Sequence, residues 1–471
     1  MRKTKIICTL GPSTEDDAIL EQLMKEGMNV CRLNFSHGDY DSHLKTINRI
    51  KDMRRKLDLP VAILLDTKGP EIRLADFKDG KITLKQGQKF TLTTNECMGD
   101  ETKVSITYKN LVNDVKKGST ILIDDGLVEM KVLNVTDTDI ECEVINEGQI
   151  SNHKGVNVPD VDLSMDFLSE KDKSDIEFGI KNNIDFIAAS FVRCADDVKQ
   201  IKDILNRHNR TDIKIISKIE NRQGVNNIDE ILEESDGIMV ARGDMGVELP
   251  IEEVPAVQKM IISKVYHAGK IVITATQMLD SMMRNPRPTR AEASDVANAI
   301  YDGTSAIMLS GETAAGQYPI EALRTMVEIA EYTEKNINYE NRFRKLEKSD
   351  KMSVTDAISH ATCMISLDVD ASSIITVTKS GTTARMISRY RPQCPIIGCT
   401  PVIKSFYQMG LSWGVEPVMI YEETSTEELF AEAVDKTKRK GLVKDGETVI
   451  LTAGIPLGQP GTTNLIRVME A

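Results

Sequence analysis

The sequence predicts an α/β protein whose larger part is a (β/α)8 barrel, the TIM-barrel architecture. Eight short, continuously apolar runs lie at residues 5–10, 30–33, 61–65, 186–189, 213–216, 237–240, 271–274 and 306–309. Amphipathic helical stretches follow most of them, for example at residues 14–26, 40–55, 195–206, 254–268 and 289–300. Because unbroken apolar runs that alternate with helices are typical of buried parallel strands, eight such units favour a closed barrel over the alternative, a doubly wound sheet.

A long segment of different texture separates the third and fourth apolar runs. Between residues 68 and 161 the apolar stretches are short, β-branched and often alternating, and turn pairs such as Asp79-Gly80 and Asp125-Gly126 break them. This pattern predicts an inserted all-β domain, with a small β-barrel as the expected form. It would enter and leave at the end of the third strand, on the face where barrel proteins carry their chemistry, so a mobile lid is expected.

A third domain is predicted near the carboxyl end. The larger barrel takes residues 1–67 and 162–335, and a charged, polar stretch then runs to residue 349, as a linker would. Helical and apolar segments alternate again at residues 354–366, 373–377, 383–389, 395–398, 425–440 and 447–452. Residues 350–471 are therefore predicted to form a small α/β domain with a parallel sheet.

Charge and cysteine content exclude several classes of protein. The net charge is −13, from 59 basic and 72 acidic residues, so neither nucleic acid nor a membrane surface is an expected partner. No apolar run approaches the roughly 20 residues of a membrane span. The eight cysteines include no CxxC pair, which favours a reducing, cytoplasmic location over a disulfide framework or a zinc site.

Acidic and basic residues follow the predicted fifth and sixth strands. Lys218 and Glu220 are two residues apart on an extended segment, so both side chains can face the barrel axis. Asp244 follows the next strand, and two carboxylates from neighbouring strands suit Mg²⁺. A lysine beside them suits a developing enolate or a phosphoryl group in transfer. The alternative is a buried ion pair with a purely structural role.

The tips of the second and third strands supply a second set of oxygens. Asn34, Ser36, Asp66 and Thr67 combine neutral donors with one carboxylate, a mixture that suits a monovalent cation better than a divalent one. A hydrogen-bonded turn network without an ion remains the alternative.

Three further features lie at strand tips. Arg32 and Arg73 can clamp phosphates in a bidentate manner or can be ordinary surface arginines. His37 is expected to form hydrogen bonds rather than act as an acid or base. The segment from Gly243 to Gly246 can begin a short helix whose free N–H groups bind an anion, or can be a tight turn.

A hydroxyl-rich loop lies between a strand and a helix of the third domain. Its residues are Thr378, Lys379, Ser380, Gly381, Thr382 and Thr383. Four hydroxyls and one lysine at such a position suit a phosphate, whereas helix capping, the alternative, requires only one hydroxyl.

Eight segments, which occur in the same order along the chain, resemble motifs of the pyruvate kinase family. They are residues 3–12, 32–38, 65–73, 217–221, 239–248, 274–285, 287–295 and 307–318. The resemblance covers essentially the full length and implies a barrel, an inserted β lid and a C-terminal regulatory domain. It also implies transfer of a phosphoryl group from phosphoenolpyruvate to ADP, giving pyruvate and ATP, with Mg²⁺ (or Mn²⁺) and K⁺ as cofactors and a homotetrameric assembly.

The resemblance assigns roles at the barrel mouth. Lys218 is similar to the lysine that neutralises the transferring phosphoryl group and the enolate. Glu220 and Asp244 resemble the ligands of the divalent ion. Thr276 resembles the threonine near the substrate carboxylate and the enolate carbon that is protonated, and the backbone of Gly243 and Asp244 would hold that carboxylate.

The resemblance also implies a K⁺ site and a nucleotide site. Arg32 resembles a phosphate-binding arginine, and the K⁺ ligands would be Asn34, Ser36, Asp66 and Thr67. Glu71 is the residue type that accompanies a K⁺ requirement in this family. The implied nucleotide contacts are Arg32, Asn34, His37, Arg73, Lys171 and Asp125.

Two departures from the family pattern bear on motion and regulation. Leu74-Ala75 replaces the usual Thr-Gly pair at the expected lid hinge. Residues 455–463 lack the arginine that some relatives use to clamp a sugar bisphosphate, so an unidentified sugar phosphate or nucleotide is the expected effector at residues 378–383.

Two rival functions remain: a Mg²⁺-dependent lyase or mutase of pyruvate-like acids, and a non-catalytic metabolite sensor.

Overall fold

Eight parallel strands close a barrel in the computed structural model, which describes residues 1–345, 352–423, 425–456 and 463–471. They are β1 (Lys5–Thr9), β2 (Val30–Asn34), β3 (Ala62–Asp66), β4 (Phe186–Ala189), β5 (Lys214–Ile219), β6 (Gly237–Ala241), β7 (Ile271–Ala275) and β8 (Ala306–Leu309). Each pairs with the next in chain order, and β8 returns to β1, with Lys5 opposite Ala306. The predicted barrel is confirmed, and the doubly wound alternative is wrong.

Helices surround the barrel on its outer face. The longer ones are Asp17–Lys25, Tyr40–Leu57, Glu170–Lys181, Ala195–Arg207, Ile228–Glu234, Val254–His267, Arg290–Asp302 and Pro319–Lys335, and shorter ones are Arg222–Asn226, Arg242–Glu248, Gly311–Ala314 and Tyr339–Arg344. Single-turn 3-10 helices lie at Pro12–Thr14 and Asp280–Met283. Capping boxes at Asp39, Ser169 and Thr289 begin three of the longer helices, because each side chain accepts a bond from an otherwise unpaired backbone N–H.

The barrel strands are buried on both faces, which explains their unbroken apolar sequence. Outward side chains such as Ile6, Ile63 and Ile187 pack beneath the helices. Inward side chains such as Leu64 and Phe186 fill the interior. The barrel is therefore solid, and its chemistry is confined to its ends.

The inserted domain has its own hydrophobic core. Its strands are Ile72–Arg73, Lys81–Leu84, Lys89–Thr93, Lys103–Ser105, Thr120–Ile123, Val128–Val135, Asp139–Val144, Gly148–Ser151 and Gly155–Asn157, with one helical turn at Leu111–Asp114. Seven strands form one sheet and two form another. A bridge between Leu74 and Ile106 links the two edges of the larger sheet, so this sheet curls back on itself.

The third domain contains five strands: β9 (Ser373–Val377), β10 (Ile396–Thr400), β11 (Val415–Met419), β12 (Thr448–Gly454) and β13 (Thr463–Glu470). Their order is β11-β10-β9-β12-β13, and the last pair is antiparallel. The three predicted strands, β9, β10 and β12, pair in parallel as expected, and β13, which was not predicted, adds an antiparallel edge. The helices are Val354–Asp368, Thr382–Ser388, Ile403–Met409 and Thr426–Arg439.

Three elements of this domain were not predicted. β11 carries Glu416 and Pro417 at its centre, and β13 is an edge strand with little continuous apolar sequence, so neither matches the pattern of a buried strand. The third is the helix Ile403–Met409. Parts of the predicted linker (residues 346–349) and of the 455–463 loop (residues 457–462) lie outside the described residues.

The helix Ile403–Met409 closes the lower end of the barrel. Phe406, Tyr407 and the nearby Leu411 belong to the same buried cluster as the inward side chains of the barrel strands. The third domain thus covers the end opposite the strand tips. No helix in the described part of the chain has the length and apolar character needed to span a membrane.

Candidate active site

Lys218 is the centre of a buried polar cluster at the upper end of the barrel. β5 is longer than predicted and extends to Ile219, so Lys218 projects from within the strand. Its Nζ lies 2.9 Å from Glu220 Oε1 and 3.2 Å from Asp66 Oδ1, and about a tenth (10%) of its side chain is exposed. The predicted proximity of Lys218 and Glu220 is confirmed.

The charge of this lysine is strongly favoured. Burial opposes it, but the carboxylates of Asp66 and Glu220 outweigh burial and hold the pKa of Lys218 above its usual range. The ammonium group is thus a permanent positive charge at an end of the barrel that solvent only just reaches.

Asp66 joins the lysine to a second cation. Arg32 Nε donates to Asp66 Oδ2 at 2.6 Å, and Arg32 Nη1 donates to Thr9 Oγ1 at 3.0 Å. Although Asp66 is buried, Arg32 and Lys218 lower its pKa. Arg32 is consequently held at the mouth with 11% of its side chain exposed, and is not a loose surface arginine.

Glu220 is fully buried next to Lys218. Its Oε2 accepts a hydrogen bond from the Phe191 N–H at 2.5 Å, and its Oε1 lies 2.9 Å from the Lys218 ammonium group. Burial raises the pKa of Glu220, and the charge of Asp244 raises it further. A carboxylate in this position needs additional positive charge, which a divalent cation between Glu220 and Asp244 would supply.

Asp244 comes from the first turn of the helix Arg242–Glu248. It lies near enough to act electrostatically on Lys218, on Glu220 and on Asp125 of the lid. Among the described residues no group of three His, Cys, Asp or Glu side chains could hold a metal by itself. A pair of carboxylates suits Mg²⁺, which commonly completes its coordination with water and substrate oxygens.

Thr276 and Gly243 meet in a tight, strained contact. Thr276 has φ of +73° and Gln277 has +54°, conformations that are uncommon for residues with a side chain. A Cβ on Gly243 would lie 2.7 Å from Thr276 Cγ2, so only glycine fits there. Arg242 donates to the Thr276 carbonyl oxygen at 2.7 Å and stabilises the turn.

The predicted monovalent-ion residues lie together on adjacent strand tips. Asn34 is directly opposite Asp66 in the register of β2 and β3. Asn34 Oδ1 accepts a bond from the Ser36 N–H at 3.1 Å, and Thr67 Oγ1 accepts one from the Ser190 N–H at 3.1 Å. Asp66 is already paired with Arg32 and Lys218, so any cation here would be held mainly by neutral oxygens.

The predicted nucleotide residues divide between two places. Lys171 donates to the Phe35 carbonyl oxygen at 2.9 Å and pairs with Asp175 at 2.5 Å. That contact brings it to the tip of β2, close to the exposed His37. Arg73 lies instead at the base of the lid, paired with Glu71 at 2.7 Å.

A polar cleft of 710 Å³ separates the lid from the barrel mouth. Glu71, Arg73 and Asp125 line it together with Asp244. Because Asp125 of the lid and Asp244 of the barrel line the same cleft, the lid turn faces the barrel mouth. Burial and the charge of Asp244 raise the pKa of Asp125. Lys154, which the sequence analysis did not single out, also lines this cleft and pairs with Asp124 at 2.8 Å.

Ser190 is the second residue that sequence reasoning missed. It follows β4 directly, and Lys218 Nζ donates to its Oγ at 2.7 Å. Site residues were predicted after strands two, three and five to eight but not after strand four, although Ser190 follows that strand in the same way.

The hydroxyl-rich loop begins the helix Thr382–Ser388. Gly381 caps this helix with φ of +76° and no side chain contributes a capping bond, so the capping alternative is not realised. Ser380 Oγ lies 2.9 Å from Thr382 Oγ1, and Thr383 Oγ1 lies 2.8 Å from Thr463 Oγ1. The ammonium group of Lys379 pairs with Glu422.

Fold and site together define a lidded barrel enzyme whose mouth suits anionic, phosphorylated substrates. Family models agree: "Pyruvate kinase, barrel domain" matches residues 1–323 and "Pyruvate kinase, alpha/beta domain" matches residues 356–469. The chain belongs to the pyruvate kinase family, the phosphotransferases that convert phosphoenolpyruvate and ADP into pyruvate and ATP.

Individual relatives match over the whole chain. The pyruvate kinase of Clostridium acetobutylicum is 53% identical over 469 residues, which are 99% of both proteins. That of Geobacillus stearothermophilus is 51% identical over 99% of this chain and 80% of its own length. A crystal structure of a Cryptosporidium parvum pyruvate kinase superposes with a TM-score of 0.95 at 40% identity, covering 100% of this chain and 96% of that one.

Proposed function

We propose that Lys218 is the residue that stabilises the phosphoryl group in transfer and the enolate it leaves behind. The observation that carries this proposal is its buried ammonium group, kept charged between Asp66 and Glu220 and 2.9 Å from the latter. A loose phosphoryl transition state has little covalent character, so fixed positive charge is what catalysis requires. Arg32, anchored on Asp66, would bind the same phosphate.

Glu220 and Asp244 are the proposed ligands of Mg²⁺ or Mn²⁺. The burial of Glu220 and its mutual repulsion with Asp244 support this assignment. When bound, the divalent ion supplies positive charge that polarises substrate oxygens. The backbone at Gly243 and Asp244 is proposed to hold the substrate carboxylate, and Thr276 to lie beside the carbon that receives a proton.

K⁺ is the proposed second cofactor, held by Asn34, Ser36, Asp66 and Thr67. Two observations support this proposal. Asn34 lies directly opposite Asp66 on the neighbouring strand, and residue 71 is a glutamate, the residue type expected with a K⁺ requirement. Omission of K⁺ should abolish most turnover at fixed ionic strength, and full activity without it would contradict this assignment.

ADP is proposed to bind beneath the lid, residues 68–161, through Arg32, Asn34, His37, Arg73, Lys171 and Asp125. Residues 378–383 are proposed to bind a phosphate-bearing effector, supported by the Ser380 and Thr382 hydroxyls, which lie 2.9 Å apart at the start of a helix. A homotetramer is the proposed assembly. Light scattering of the purified chain tests the assembly directly.

The decisive test replaces Lys218 by methionine, which keeps the length of the side chain and removes its charge. ADP-dependent pyruvate release should fall by at least about 10³-fold, an amount typical of a lost charge-stabilising group, while phosphoenolpyruvate still binds. Lys214→Met is the matched control, because Lys214 lies on the same strand but pairs with Asp236 at its other end. Near-normal turnover of Lys218→Met would remove this residue from the mechanism.

The same assay separates the two rival functions. A lyase or mutase would act on pyruvate-like acids without ADP, and a sensor would bind phosphoenolpyruvate without turnover. Pyruvate release that requires both ADP and a divalent ion excludes both.

A further inference from the structure

Ser190 is buried at the tip of β4 and touches Lys218 through a neutral group. The residue is 2% exposed, and its Oγ accepts a hydrogen bond from Lys218 Nζ at 2.7 Å. The same oxygen lies 2.7 Å from the Thr67 carbonyl oxygen and 3.2 Å from Asp66 Oδ1. A hydroxyl has only one hydrogen, and the shorter contact directs it to Thr67, which leaves the oxygen lone pairs facing the ammonium group.

The position of this hydroxyl is fixed from several sides. The Ser190 N–H donates to Thr67 Oγ1 at 3.1 Å. Gly69 packs so closely that a Cβ there would lie 2.8 Å from Ser190 Cβ. The next residue, Phe191, has φ of +56° and donates its N–H to Glu220. Ser190 therefore has little freedom to move away from Lys218.

We propose that Ser190 is a positioning residue that aims the Lys218 ammonium group at the transferring phosphoryl group. This inference rests on the proposed role of Lys218. A lysine side chain is a flexible stem with a compact charge, so attraction to Asp66 and Glu220 favours that charge but defines its direction poorly. Ser190 makes the shortest of the three contacts, at 2.7 Å against 2.9 Å and 3.2 Å.

The neutrality of the serine is as important as its geometry. A third carboxylate here would hold the ammonium group equally well but would cancel more of its charge. A hydroxyl holds one N–H without such compensation, so the remaining positive charge stays available to the substrate.

Ser190→Ala is the first test. Because a hydrogen bond to a charged group is removed, kcat should fall about 10- to 100-fold, while KM for phosphoenolpyruvate and the Mn²⁺ dissociation constant change less than about twofold. Ser217→Ala is the matched control: Ser217 precedes Lys218, is fully buried at 0% exposure and contacts Ser235 Oγ at 2.6 Å instead. Its kcat should be that of the unmodified enzyme.

Ser190→Cys preserves size and shape and weakens the acceptor, so its kcat should fall between those of the serine and alanine forms. Thermal unfolding of all three variants shows whether they fold. A kcat of Ser190→Ala equal to that of Ser217→Ala, or a cysteine form as active as the original, would overturn the proposal.

A double mutant separates positioning from a general structural role. If Ser190 acts through Lys218, Ser190→Ala should cause no further loss of rate in a Lys218→Met background. An undiminished further loss would show that Ser190 acts independently and would refute the inference. Near-normal turnover of Lys218→Met would instead refute the proposed function itself, so the two failures are distinguishable.

Discussion

Both ends of the barrel bury charged residues, but the surroundings of these residues differ. At the lower end, which we call the floor, Asp185 precedes β4 and pairs with Arg54 at 3.0 Å and with Lys404 of the third domain at 3.1 Å. The Arg54 guanidinium lies 3.4 Å from the ring centre of Tyr407. Charges there are buried, paired and packed against aromatic rings.

At the upper end, the mouth, the buried carboxylate of Glu220 is repelled by the charge of Asp244. Thr276 and Phe191 there adopt positive φ angles. A polar cleft separates this end from the lid. Backbone strain and repulsion between like charges lower the stability of the fold, and both are commonly retained where a substrate or an ion binds.

The difference shows how one barrel serves two purposes. The floor joins two domains by ion pairs packed against an aromatic ring, and the mouth places like-charged carboxylates and strained turns beside an open polar cleft. Substitutions at the floor should therefore reduce stability more than activity, and substitutions at the mouth should do the reverse.

The largest expected change in the free energy of unfolding is at the floor. Lys404→Met removes one of two cations beside Asp185, which is 1% exposed, and should lower the free energy of unfolding by about 3 kcal/mol. Lys440→Met removes an exposed ion pair with Asp58 between the same two domains and should cost less than about 1 kcal/mol. Urea unfolding measures both. Equal losses would show that burial does not distinguish these contacts.

A smaller effect, on activity, is expected at the mouth. Gly243→Ala forces a Cβ to within 2.7 Å of Thr276 Cγ2, so the strained turn must shift. We expect kcat/KM to fall about tenfold, equivalent to about 1.4 kcal/mol, with little change in Tm. Gly246→Ala on the same helix is the control, since its Cβ would meet Ile251 at an ordinary 3.4 Å. Unchanged kinetics of Gly243→Ala would contradict a tight fit at the mouth.

The smallest effects concern pH and have opposite signs at the two ends. Burial lowers the pKa of Lys5 at the floor from 10.5 to about 8. Between those values the unfolded chain binds more protons than the folded one, so stability rises with pH, by about 1 kcal/mol from pH 7 to 9. Lys5→Met should remove this increment from a Tm-against-pH profile, and an unaltered profile would contradict the assignment.

Burial raises the pKa of Glu248 at the mouth from 4.5 to about 6, although Asn157 of the lid donates to it at 2.7 Å. Here the folded chain binds the extra proton, so stability is greatest below pH 4.5 and declines as the pH rises towards 6, by about 1 kcal/mol over the pH unit above 4.5. Glu248→Gln should flatten that decline over the same range. A steeper decline of stability in Glu248→Gln would show that ionisation of Glu248 stabilises the folded chain, which is the opposite of the effect expected here.

Much of the fold was predictable because buried parallel strands and amphipathic helices leave local patterns. All eight barrel strands and most of the inserted strands follow from such patterns, whereas the short inserted strands Gly148–Ser151 and Gly155–Asn157 were not predicted. β11 and β13 do not, because one has a proline and an acidic residue at its centre and the other is an edge strand.

At the site, the strand-tip rule located Lys218, Glu220 and Asp244, because the ends of parallel strands must meet at one face. The rule applies equally to Ser190, which follows β4, but the contact of this serine with a lysine 28 positions later in the chain is not visible in the sequence. Nor could the rule foresee that β5 continues past Lys218.

By itself, then, the sequence determined the barrel, the insertion, the separate third domain and the residue types available at the mouth, since each depends on local periodicity or strand order. The tertiary structure alone decided which oxygen of Glu220 faces Lys218, which hydroxyl meets Lys218, that Gly243 must accommodate Thr276, and that Phe406 and Tyr407 close the floor. Those features depend on ångström-scale distances between residues far apart in the chain, which no local pattern encodes.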